Sequence, residues 1–225
     1  MSGLRRAGWV RVAPFLAFMA LLALRGAVPA DGSWGFDPRW LYGVQAGLAA
    51  LLLAVWWREY GELAWQTMPT IGEALLAVGV GLAVFALWIQ LDAPWMTIGT
   101  PDAAFVPVDA DGRLHWAWVA LRLTGAALVV PLVEELFWRS FLMRGVQQPL
   151  FDALRPQRVG PRAVLVSTFV FVLAHTLWLA AALAGLAYAW LYIRSGKLWL
   201  PVIAHAVTNG ALGVYVVARG QWQFW

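Results

Sequence analysis

Three short runs hold residue types that could do chemistry together. The first is Glu134-Glu135-Leu136-Phe137-Trp138-Arg139, directly after the apolar run Ala126–Val133. Ionisable groups at membrane depth are costly, so each needs a use. On a helix Glu135 and Arg139 stand four apart and share a face, where the arginine can hold Glu135 ionised and oriented. Glu134 points about 100° away and is free for other work. Taken alone, the run reads equally as a solvated ion pair at the membrane surface. The second run is Phe171-Val172-Leu173-Ala174-His175, inside a stretch without charges. A lone histidine there also reads as a hydrogen-bonded packing residue. The third is His205-Ala206-Val207-Thr208-Asn209, again four apart and on one face. That pair could join two helices, or aim two donors at one oxygen. His115, beside Asp111 and Arg113, reads as a surface residue.

The combination says more than its parts. Two acids, two histidines and an amide lie in three apolar segments, where none can comfortably face lipid, so they should converge. A carboxylate with an imidazole can take a proton from water, and a histidine with an amide can stabilise an oxyanion. This inventory suits hydrolysis of an amide bond within a membrane.

The elements that must position these groups follow from composition. The chain has 225 residues, 62% hydrophobic and 12% charged, with no cysteine and 16 tryptophans. That is too much apolar surface for the charge available, which argues against a soluble protein and excludes a disordered one. Without cysteine, thiolate catalysis, Cys-ligated metals and disulfides are excluded too. The net charge of +4 is scattered between apolar runs, which argues against nucleic acid as a partner. A membrane helix needs roughly 20 mostly apolar residues. The pattern predicts an all-α polytopic transmembrane bundle of about seven spans. They run over 12–30, 40–57, 70–91, 116–133 (interrupted by Arg122), two spans within 162–193 turning near Trp178–Ala181, and 198–218. A short interfacial helix is expected over Leu136–Leu150. Residues 1–115 form the N-terminal transmembrane helices and 116–225 the core that carries the motifs. The first span is read as uncleaved, with a secretory signal ending near Ala27-Val28-Pro29-Ala30 as the alternative.

Charge placement gives a direction. With the N-terminus cytoplasmic, the inner segments hold Arg5, Arg6, Arg11, Arg58, Arg139, Arg144, Arg155, Arg158, Arg162, Arg194 and Lys197, which is 11 of the 16 basic residues. The outer segments hold Arg39, Arg113 and Arg219, with Asp31, Asp37, Asp92, Asp102, Asp109 and Asp111. A multi-pass protein of a bacterial inner membrane, N-terminus inside, is expected.

The three runs in this order resemble the motifs of the CPBP family, the CAAX proteases and bacteriocin-processing enzymes, also called Abi: EExxxR, FxxxH, and HxxxN or HxxxD. The resemblance covers about Trp116–Ala218. It implies an intramembrane endopeptidase in which Glu134 and His175 activate water, with Glu134 as general base. His205 and Asn209 then form the oxyanion hole, supported by Glu135 and Arg139. The implied partner is a membrane-embedded or lipid-anchored peptide or protein, in protein sorting or maturation. No cofactor is favoured. Zinc is the alternative, held by Glu134, His175 and His205, although there is no HExxH. Two other functions stay open: a non-catalytic membrane binding or immunity protein on the same scaffold, and a small transporter using Glu134.

Overall fold

The computed structural model describes residues 2–29, 33, 35–99, 105–109 and 111–225, with side chains from residue 6 onward. Asp31, Asp102, Ala30 and the Arg5 side chain, which enter the expectations above, lie outside what is described. Among the described residues seven long helices and no strand are found. We number them α1 (Ser2–Ala27), α2 (Trp40–Val55), α3 (Ile71–Trp88), α4 (Trp116–Gln147), α5 (Pro161–Leu173), α6 (Trp178–Ser195) and α7 (Trp199–Arg219). Four are long and apolar enough to cross a membrane by themselves: α1 from Arg6, α3, α4 and α7. The all-α polytopic architecture holds. The main pairings are α3 along α7, α1 along α2 and α5 along α6. Gly81 lets α3 approach α7, because a Cβ there would collide with the Ala204 carbonyl and with Val207.

The structure departs from the expected elements in two places that matter for the site. The separate interfacial helix over Leu136–Leu150 does not form. Instead α4 continues for 32 residues to Gln147. Glu134 and Glu135 do not end it, because both find partners inside the bundle rather than in water. It stops where Gln148 becomes extended (φ −145°, ψ 124°), as a residue preceding proline should. Within α4 two stretches, Gly125–Val129 and Leu136–Met143, are wound as π-helix. The first precedes Pro131, which cannot donate to a carbonyl one turn back and would clash with it. Widening the turn relieves that clash. Gly125 also lets the Tyr42 ring lie against α4, since a Cβ would meet that ring.

The second departure is the turn between α5 and α6. It falls at 174–177, just before the expected Trp178–Ala181. His175 therefore sits in a short connection, not within a helix. A loop from elsewhere holds this break open: Ile98 N donates to Thr176 O at 2.8 Å, and Trp178 Nε1 donates to Trp95 O at 3.0 Å. No glycine or proline marks the break locally.

At the other end of the bundle, the connection from α2 to α3 makes three 3-10 turns and pushes Glu62 inward. Arg11 of α1 donates to both carboxylate oxygens, from Nε at 2.8 Å and Nη2 at 2.6 Å. Ser140 donates to the same carboxylate, and Arg144 stands 3.7 Å from it. Burial alone would raise the Glu62 carboxyl; the Arg11 guanidinium outweighs this and holds it below its ordinary value. This cluster ties α1 and the connecting loop to the lower half of α4. Phe15 of α1 stacks flat on Phe137 of α4 just above it, with ring centroids 4.0 Å apart.

Candidate active site

The site is built around Glu135, which is fully buried on α4. Arg139 Nη1 donates to its Oε1 at 3.0 Å, so the i, i+4 pair expected from the sequence is formed. The guanidinium is clamped between the rings of Phe171 (4.7 Å) and Tyr188 (5.3 Å). Its Nη2 also reaches the Gly185 carbonyl at 3.4 Å. The phenylalanine of the second motif is thus a wall for the arginine of the first. Glu135 Oε1 makes a second contact, to His205 Nδ1 at 2.9 Å. Two groups from different helices meet on one carboxylate oxygen, which fixes α7 against α4.

Both histidines are oriented by their Nδ1 atoms. His205 is stacked on Tyr188 with centroids 5.2 Å apart, and its Nδ1 is committed to Glu135. Its Nε2 is left for the cavity. For Nε2 to donate as well, the ring must carry both protons. His175 Nδ1 lies 2.8 Å from the Phe171 carbonyl. A carbonyl only accepts, so Nδ1 carries the proton and Nε2 of the neutral ring is an acceptor. The ring is wedged between Phe171 (4.3 Å) and Trp88 (5.7 Å). Glu134, one residue before Glu135, accepts from Trp138 Nε1 at 3.2 Å.

Asn209 owes its position to the first π-helical stretch. There Val130 N donates five residues back, to Gly125 O. The Ala126 carbonyl thereby loses its α-helical donor, and the next candidate is Pro131, which has none. A buried carbonyl needs a partner. Asn209 Nδ2 supplies it at 2.8 Å. One amide hydrogen is used and the second remains available.

Glu134, His175, His205 and Asn209 all line one cavity of about 230 Å³. Its α4 wall is Arg122, Ala126, Val130 and Glu134, every fourth residue. In a regular α-helix a spacing of four drifts by about 40° per step. A π turn needs about one residue more to come round, which takes up most of that drift and keeps the four in a stripe. The cavity runs from Glu134 toward the end of the bundle where α1 finishes and α2 begins, past Leu22, Arg25 and Tyr42. The sequence favours an opening that is lateral or cytoplasmic, together with a cytoplasmic N-terminus. With the N-terminus inside, this end of the cavity lies toward the outer side.

Residues 116–211 match the family described as type II CAAX prenyl endopeptidase, Rce1-like. This segment is therefore similar to the family that the three motifs point to. Among curated proteins, the chain is 30% identical over 95 residues to "Putative membrane peptidase YdiL" of Bacillus subtilis (strain 168). The match covers 40% of this chain and only 35% of that relative. No solved structure matches the chain. All three CPBP motifs lie inside the matched segment, whereas α1, α2 and α3 lie outside it.

The CPBP resemblance leaves zinc as an alternative, with Glu134, His175 and His205 as ligands. Among the described residues no group of three His, Asp or Glu side chains is arranged to hold a metal ion. The trio does not form such a group, and no step is routed through it. The motifs also do not name several residues that shape the site. Tyr188 is fully buried, stacks on His205 and donates to Thr208 Oγ1 at 2.7 Å, which in turn donates to Gly81 O at 2.9 Å. A tyrosine amid the alanines and leucines of α6 was the available signal. His115 is exposed beside Trp118, as expected of a surface residue.

Proposed function

We propose that this chain is an intramembrane endopeptidase whose reacting groups are Glu134, His175, His205 and Asn209. The observation that carries this reading is their convergence, from three separate segments, on one cavity within a CPBP segment. Glu134, or His175 through its accepting Nε2, takes a proton from water. The water oxygen bonds to the carbonyl carbon of the scissile peptide. His205 Nε2 and the second amide hydrogen of Asn209 donate to the resulting oxyanion. The C–N bond then breaks, and the proton taken from water passes to the leaving amine. Glu135 is a positioning residue: it orients His205, and Arg139 holds it in place. The substrate is a peptide segment embedded in or anchored to the membrane, and the setting is a bacterial inner membrane.

The test compares the termini of membrane proteins in cells carrying wild-type protein, Glu134→Gln, His175→Ala or His205→Ala. The expected result is a set of new termini seen only with wild-type protein. If all three variants produce the same termini at the wild-type rate, the assignment is wrong.

A further inference from the structure

We propose that Arg122 binds a carboxylate of the peptide substrate, at the end of the cavity remote from Glu134. This rests on the endopeptidase reading and specifies what that site accepts. Of three arginines on α4, Arg139 and Arg144 are buried and Arg122 is half-buried, and they are treated differently. Arg139 is paired with Glu135, and Arg144 stands by Glu62. Arg122 makes no ion pair or hydrogen bond through its side chain with any described residue, and its Nε is buried without a partner. A guanidinium partly withdrawn from water, with its Nε unbonded, favours a counter-charge.

What surrounds Arg122 holds it in place without neutralising it. Its guanidinium lies over the Tyr42 ring at 4.4 Å and near the Phe105 ring at 5.9 Å. Arg25 lies over the same Tyr42 ring at 5.7 Å and lines the same cavity. The stripe on α4 puts Arg122 in line with Glu134. Twelve residues of helix separate them, about 18 Å of rise. Allowing for the reach of an arginine side chain, an extended peptide covers the gap in about three to five residues. The ligand is therefore an acidic side chain or terminal carboxylate that far from the scissile bond. A planar guanidinium suits a carboxylate, which it can bind through two hydrogen bonds.

The test measures binding separately from cleavage. Full-length Glu134→Gln protein in phosphatidylcholine nanodiscs is titrated with an acetylated alanine–leucine hexapeptide, ending in a free carboxylate or a carboxamide. Quenching of tryptophan fluorescence reports binding, since Trp88 and Trp225 line the cavity. The carboxylate form should bind about tenfold tighter, as expected of one charge-assisted contact. Adding Arg122→Gln should abolish the preference, and Arg122→Lys should restore part of it. Thermal unfolding of each variant checks that it is folded. Equal binding of the two peptides, or a preference that survives Arg122→Gln, overturns the proposal. So does a preference that phosphatidylglycerol in the disc removes in an Arg122-dependent way, because the site would then belong to a lipid headgroup. The endopeptidase reading is decided separately, by the Glu134-dependent termini in cells, so either can fail without the other.

Discussion

Glu135 Oε1 is shared between a guanidinium and an imidazole, while its Oε2 is buried and makes no hydrogen bond with any described residue. A carboxylate held this way aligns others and has little freedom to react. Glu135→Gln should therefore lower stability by about 3–5 kcal/mol, because Arg139 keeps its charge and loses its acid. Glu134→Gln should leave the unfolding transition nearly unchanged and reduce cleavage by at least about 100-fold, as expected for loss of a general base. Asn209→Ala should do both. It should cost about 1–3 kcal/mol by orphaning the Ala126 carbonyl, and about 100-fold in rate by removing an oxyanion donor. Side-by-side thermal unfolding and cleavage assays check these three profiles. Activity should also persist in protein stripped of zinc by a chelator, and full loss there would bring zinc back into the mechanism.

At the scale of elements, the local part of the site was legible and the tertiary part was not. The pairing of Glu135 with Arg139 follows from helical spacing and needs no knowledge of the fold. The partner of His205 is seventy residues away, and nothing near His205 announces it. The break at 174–177 is held by the loop around Trp95 and Ile98, so the sequence at the break cannot reveal it. The first π-helical stretch depends on Pro131 and on Tyr42 lying against Gly125, and α4 runs on through the second to merge two expected helices into one. A test of the stripe is deletion of Leu128 within the first π stretch. The helix should become more regular, yet Glu134 should rotate by about 100° relative to Arg122, and cleavage should be lost in a folded protein. The Glu62 cluster makes a separate prediction. Its carboxyl is held below its ordinary value by Arg11, so its contribution is fully present above that value. The contribution is lost as pH falls through the lowered one. Glu62→Gln should reduce stability by about 3 kcal/mol at neutral pH and flatten the acid side of the stability profile.

At the scale of the molecule, the charges and the cavity together define a direction. Arg58, Arg155, Arg158, Arg162 and Lys197 gather at the end holding the α1 N-terminus, and Asp37, Asp92, Asp109 and Asp111 at the other. A C-terminal alkaline phosphatase fusion should be active outside the cytoplasm, and a C-terminal green fluorescent protein fusion should stay dark. The opposite pattern would reverse the orientation. With the N-terminus inside, the cavity extends past Arg25 and Tyr42 toward the outer side. If substrate enters at that end, cleavage follows export. Blocking translocation should leave precursors uncut while the enzyme is intact, and an inhibitor shaped to the cavity would not need to enter the cytoplasm to act.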